Sequence, residues 1–282
     1  MTKLGILPLM RIVVQYIIGV LLFILIGALP VFLRDLTYDF EGYFITVKSM
    51  IIKILTMSDL TYSTFRGEKP LLPIVGDRFL LSMTTLATAF LVALILAFLF
   101  SYVIVIFFEK RKDAILGVFE IIQSIPDVVV MFLLQTSIIL VYKAYGVKLA
   151  QTVSLGSENQ AVLIPLISLS LPVFLYLTQL IVLKIFEELD KPYVTFAKSK
   201  GLSYVYMLNI HVIRNIIGNL LSHFKTIIWI MLSTLLMVEY IFNLDGLMLF
   251  NIKNMSVDLF VFTCILFFTP FFILFRLIEL RR

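Results

Sequence analysis

Six apolar runs limit what this chain can become. They are Ile12 to Leu33, Phe79 to Phe108, about Ala114 to Tyr142, Ala161 to about Leu183, about Leu220 to Phe242, and Leu259 to Ile278. A helix crosses about 30 Å of hydrocarbon with roughly 20 residues, and each run is long enough. Hydrophobic residues make up 61% of the 282 and charged residues only 15%. A soluble domain is nearer ~45–50% apolar and ~25% charged, so its surface could not hold this excess. A water-soluble enzyme, a nucleic-acid binder and a disordered chain are excluded. The predicted fold is an all-α integral membrane protein with six transmembrane helices. The first run exceeds a signal-peptide core and is followed by no Ala-x-Ala site, so it is read as a retained helix.

Basic residues are retained in cytoplasmic loops, and this predicts the orientation. With the N-terminus inside, segments 1–11, 109–113, 184–225 and 276–282 hold 14 Lys/Arg, against 9 in 34–78, 143–160 and 243–258. The Glu109-Lys110-Arg111-Lys112-Asp113 turn is the clearest inside marker. Both termini are predicted to be cytoplasmic. In the outer 34–78 segment, Val47 to Leu55 is apolar but broken by Lys48 and Lys53, and reads as an amphipathic surface helix. Gly67-Glu68-Lys69-Pro70 and Pro73 read as loop punctuation.

A search for chemistry finds little. His211 and His223 belong to no HExxH pattern, and no GxSxG turn or Walker A loop occurs. The chain therefore has no ATP-binding motif, no metal site is expected, and no catalytic residue is assigned. Its one cysteine, Cys264, excludes an internal disulfide. Glu120, Asp127 and Glu239 are the acidic residues within or beside spans. Such residues are costly in lipid and often functional, but all three lie nearer span ends than centres. Helix capping or hydrogen bonding across the bundle outweighs an ion relay. The chain shows no internal repeat of the kind that marks many secondary carriers.

The informative segment is polar and lies between spans four and five, at about 190–203. Pro192 suits a first helical turn, with Asp190 before it as a cap. Gly201 can take a left-handed conformation that ends the helix, and Ser203 can cap the next. The result is a helix of two to three turns, a sharp bend, and a helix returning to the membrane. Tyr193, Phe196, Ala197 and Lys200 are spaced to share one face, with Lys198 and Ser199 beside it. A helix this short is marginal alone in water and calls for a partner; a membrane-surface helix is the alternative.

At these residues the sequence resembles the permease subunits of binding-protein-dependent ABC importers for oligopeptides, dipeptides and nickel, most closely the first of the two paired permeases. Tyr193-Val194, Ala197 and Lys200-Gly201-Leu202-Ser203 match the family segment, followed by His211 and Arg214-Asn215 at the family spacing. Glu239, Phe242, Gly246 and Leu247 match the end of its fifth span. Arg78 with Thr84-Thr85-Leu86, and Ser124-Ile125-Pro126, resemble its second and third spans. The resemblance runs in order over about 78–278. Departures are Thr195 and Phe196 where the wider coupling motif begins Glu-Ala, Ser199 in place of an alanine, Asn219 and Asp245 in place of prolines, and Met248 in place of a glycine.

The resemblance implies the ABC type I importer permease fold in a bacterial plasma membrane. It divides the chain into an N-terminal span with an extracytoplasmic segment (1–78) and a five-span permease core (79–282). A second permease subunit would complete the pathway, two ATPase subunits would hold the ATP and magnesium, and an extracytoplasmic binding protein would deliver cargo. This chain itself would bind no cofactor. Tyr193, Phe196, Ala197, Lys198, Lys200, Gly201, Leu202 and Ser203 would couple to an ATPase subunit. His211, Arg214 and Asn215 would brace that region. Ser124, Pro126, Glu239, Phe242 and Gly246 would serve the pathway or its packing, with Pro126 bending span three. Peptide is the expected cargo. Nickel or another small chelate is the alternative, ahead of a stand-alone carrier or a membrane anchor.

Overall fold

The computed structural model describes residues 6–33, 38–64, 67–154 and 161–280. Parts of the expected outer segments (34–37, 65–66 and 155–160) and the chain ends (1–5 and 281–282) lie outside the described residues. In chain order the elements are α1 (Ile6–Phe32), α2 (Phe40–Thr56), β1 (Thr61–Thr64), β2 (Gly67–Pro70), α3 (Leu72–Phe107), α4 (Lys112–Gln123), α5 (Asp127–Tyr145) and α6 (Leu163–Leu189). There follow α7 (Pro192–Ser199), α8 (Tyr204–Met207), a π-helical turn (Leu208–Val212), α9 (Ile213–Ile241), α10 (Leu247–Lys253) and α11 (Val257–Leu280). Among the described residues six helical stretches are long and apolar enough to cross a membrane: Met10–Phe32, Leu72–Phe107, Asp127–Tyr145, Leu163–Leu189, Tyr204–Ile241 and Val257–Glu279. The six-span plan expected from the apolar runs is present.

Two compact units divide the chain, Met1–Leu80 with Gly246–Arg282, and Leu81–Asp245. Packing thus groups the last span with the first, whereas the sequence reading groups it with spans two to five. In the first unit, α1 packs on α2 and α11 around buried Ile24, Met50 and Val261. Tyr16 stacks on Phe268 with ring centroids 5.7 Å apart. Small residues let membrane helices approach closely, and Gly27 serves this purpose: a Cβ added there would overlap Val261 Cγ2. Gly27→Leu is expected to lower the detergent melting temperature by several degrees, and Val261→Ala should recover part of the loss. An unchanged melting temperature would show that the α1–α11 approach is not tight.

Three expectations about the first unit need correction. The helix at 47–55 is longer, beginning at Phe40, because Asp39 caps it by accepting from the Gly42 N–H at 2.8 Å. Lys53, read as an interruption, pairs with Asp258 at 2.7 Å. The 67–70 stretch is strand β2, antiparallel to β1 with Thr61 opposite Pro70. Asp258 also accepts from the Thr61 N–H at 3.2 Å, and Tyr62 packs edge-on against Phe250.

In the second unit α6 and α9 form the principal pair. Leu169, Val173, Leu177, Ile181 and Ile185 of α6 are buried, as are Ile216, Ile227, Met231 and Leu235 of α9. On α3 a stripe of Ala89, Ala93, Ala97 and Ser101 is fully buried, and Ser101 Oγ donates to the Thr178 carbonyl at 3.3 Å.

Span three differs from its expected form. The sequence suggests a single bent helix from about 114; instead α4 and α5 are separate helices. Pro126 is not a mid-helix kink but the extended residue just before α5 (φ −55°, ψ 135°). Its ring and missing N–H exclude it from a continuing α4 and suit it to starting a new helix. The spanning element is therefore α5, while α4 lies along α6, with Lys112 over the Phe186 ring at 3.7 Å and Gln123 donating to Gln179 at 2.9 Å. Span five also begins earlier than Leu220, because helix continues unbroken in hydrogen bonding from Tyr204 through the π turn into α9.

Candidate functional site

The segment 190–203 folds as a helical hairpin. Pro192 occupies the first turn of α7 as expected, but Asp190 does not cap it. Asp190 ends α6, and Lys191 stands at the N-cap position without a side-chain capping bond. Gly201 takes φ +79°, its N–H reaching the Lys198 carbonyl and that of Leu202 the Ala197 carbonyl. Residues with a Cβ resist this conformation, so glycine sets the turn. Ser203 then caps α8, accepting from the Tyr206 N–H at 3.4 Å.

The face expected to point outward is split. Val194 and Ala197 are fully or nearly buried, Tyr193 is half-buried, and Phe196 is 61% exposed. Ala197 is therefore covered within the chain itself; α7 packs beside α8, where Met207 is buried. Lys198 and Lys200 are exposed, and the Lys200 ammonium lies 4.5 Å from the centre of the Phe196 ring. The outward surface is thus one aromatic ring with two cations. Leu202 is exposed at the bend.

Beneath this surface lies a polar clasp that sequence reasoning missed. Glu188, near the end of α6, is only 4% exposed. Its Oε1 accepts from the Tyr193 hydroxyl at 3.0 Å and from Asn215 Nδ2 at 2.9 Å, and its Oε2 pairs with Lys191 at 2.5 Å. Asn215 also donates to the Tyr193 oxygen at 3.3 Å. Burial pushes the Tyr193 phenol above its ordinary range; Asn215 opposes this and Glu188 adds to it. The hydroxyl therefore remains a donor at neutral pH. One carboxylate ties together the end of α6, the first turns of α7 and the start of α9. The one signal available in the sequence was an acidic pair, Glu187-Glu188, just before a polar hairpin.

The other bracing candidates do less. His211 sits in the π turn with its ring edge-on to Tyr206, centroids 6.2 Å apart. Arg214 is exposed and makes no hydrogen bond or ion pair among the described residues.

The pathway candidates do not form one cluster. Ser124 is exposed and its hydroxyl donates to the Glu120 carbonyl, ending α4. Glu239 is buried and accepts from Ser82 Oγ at 2.5 Å, so this acidic residue bonds across the bundle. Phe242 is fully buried and its carbonyl accepts from the Ser154 N–H at 2.9 Å. Gly246 starts α10 with extended backbone. Among the described residues no group of His, Cys, Asp and Glu could hold a metal ion.

Six apolar spanning helices among the described residues, with a short clasped hairpin between spans four and five, define a multi-pass membrane protein. Residues 105–280 match the family described as binding-protein-dependent transport system inner membrane component, and the chain belongs to that family. Its fold is the ABC type I permease fold. A stretch of 139 residues is also 27% identical to the dipeptide transport system permease protein DppB of Lactococcus lactis subsp. cremoris, covering 49% of this chain and 45% of that protein. The match thus spans less than half the length of that relative.

Proposed function

We propose that this chain is one of two permease subunits of a peptide importer and that its α7 hairpin docks on an ATPase subunit. The observation that carries the coupling role is the hairpin itself. A helix of eight residues would be marginal alone, yet its base is clasped by a buried carboxylate while Phe196, Lys198 and Lys200 face outward. Such a part transmits movement from an outer partner to α6 and α9. In this reading both termini and the hairpin are cytoplasmic, consistent with the Lys/Arg distribution. Residues 79–282 form the permease core, and 34–78 with 243–258 face the binding protein. ATP and magnesium belong to the ATPase partners. Peptide cargo is supported by the sequence resemblance and by the dipeptide permease relative.

The test is purification of the tagged chain in mild detergent with its partners, followed by reconstitution with the binding protein. A second permease and Walker A-bearing ATPase subunits should co-purify, and dipeptide uptake should depend on ATP. A complex that hydrolyses ATP but moves no peptide would remove the cargo assignment. Recovery of the chain without any ATPase would remove the coupling assignment.

A further inference from the structure

A cavity of about 170 Å³ opens in the second unit where α4 gives way to α5. Its polar wall is Gln123, Asp127, Ser168 and Tyr176; Pro172 and Ile230 are among the apolar lining residues. The 27 residues of α6 span about 40 Å at 1.5 Å per residue. Ser168 and Tyr176 lie about 8 Å and 20 Å along it, so the α6 wall of the cavity runs from near one end of that helix to its middle.

Two observations bear on what this cavity would bind. Asp127 is the charged residue of this lining, and no described Lys, Arg or His pairs with it. Its Oδ2 accepts a hydrogen bond from Thr234 Oγ1 at 3.1 Å, which leaves most of the carboxylate's acceptor capacity open. Asp127 is the exposed first residue of α5, so its carboxylate is open to a ligand that enters the cavity. Independently, Ser168 is only 3% exposed and its Oγ has no hydrogen-bond partner, although buried hydroxyls are normally satisfied. The other polar wall groups are engaged: Gln123 with Gln179, and Tyr176 with His223 Nδ1 at 3.1 Å. A small group that carries positive charge and several N–H donors would complement both.

We propose that this cavity binds a primary ammonium group of the cargo, with Asp127 holding the charge and Ser168 Oγ accepting a further N–H. For a peptide cargo that group is the N-terminal α-ammonium. Naming it so rests on the peptide reading above; the amine site itself does not.

The test uses saturation-transfer NMR on the purified permease complex without binding protein, with dialanine, N-acetyl-dialanine and n-butylamine as probes. Dialanine and butylamine should give signals that fall at least threefold in both D127N and S168A, while the acetylated peptide stays at background. D127N preserves shape and S168A is small, and gel filtration of each complex guards against misfolding. Reconstituted uptake provides the second arm. The D127N to wild-type ratio should fall about tenfold for dialanine and stay near one for N-acetyl-dialanine. The binding protein is the same in both, so its own selectivity cancels. Equal NMR signals in wild type and both variants, or equal binding of the acetylated peptide, would overturn the site. Butylamine bound through Asp127 in a complex that moves no peptide would retain the site and remove the peptide reading. Peptide uptake with no variant effect would do the reverse.

Discussion

Gly201→Glu is expected to abolish uptake while leaving the chain in the membrane at its normal level. The argument is conformational, since a Cβ at this position meets nothing within 4 Å. The backbone is left-handed, at φ +79°, which costs a residue with a side chain about 1–2 kcal/mol. The hairpin can relieve that strain only by rotating the bend between α7 and α8, and this displaces the outward Phe196, Lys198 and Lys200. Glutamate also reverses the local charge. Asparagine tolerates the left-handed region better, so Gly201→Asn should retain most uptake and Gly201→Val should not. Uptake assays paired with membrane immunoblots would measure this. Normal uptake by the glutamate variant would end the coupling assignment for this turn.

The second large effect is expected at Glu188. In Glu188→Ala, Tyr193 and Asn215 lose their shared acceptor and Lys191 loses its ion pair. The bonds lost from half-buried Tyr193 and exposed Asn215 go to a charged acceptor, and such bonds contribute up to about 1.5–3 kcal/mol each, enough to loosen α7 from α6 and α9 without unfolding spans held by their apolar faces. The signature is uncoupling: in the reconstituted complex, ATP turnover persists while cargo moved per ATP drops several-fold. Glu188→Gln keeps an acceptor for Tyr193 and Asn215 and should be milder. Lys191→Ala should be milder still, because Lys191 is half exposed and exposed ion pairs contribute about 0–1 kcal/mol. An unchanged transport-to-hydrolysis ratio in Glu188→Ala would show that the clasp is not part of coupling.

These two residues mark the reach of the sequence reading. The six spans were legible because apolar length is written along the chain. Gly201, Pro192 and Ser203 were legible because turn and cap chemistry is local. Glu188 was not, because it finds Asn215 27 residues away, and no periodicity records that pairing. The burial of Ala197 was not legible for a related reason. Spacing placed Tyr193, Phe196, Ala197 and Lys200 on one side of a helix, but tertiary packing chose which part of it to bury. The break at Pro126 was blurred because apolar residues flank it on both sides, so 114–142 reads as one span. The β1–β2 hairpin carries Glu68, Lys69 and Pro70, residues poor in strand propensity, and only its pairing reveals it.

The π turn at Leu208–Val212 carries a consequence for how the hairpin is geared to the membrane. One surplus residue within a helix advances everything after it by about 100°, the angle per residue of a 3.6-residue turn. The angular phase between the clasped hairpin and the inward face of α9 is therefore set at this point, as a single step rather than a continuous adjustment. Deleting one residue here would leave hairpin and span individually intact and turn one against the other by nearly a third of a revolution. A one-residue length change between His211 and the span thus acts like moving a gear by one tooth.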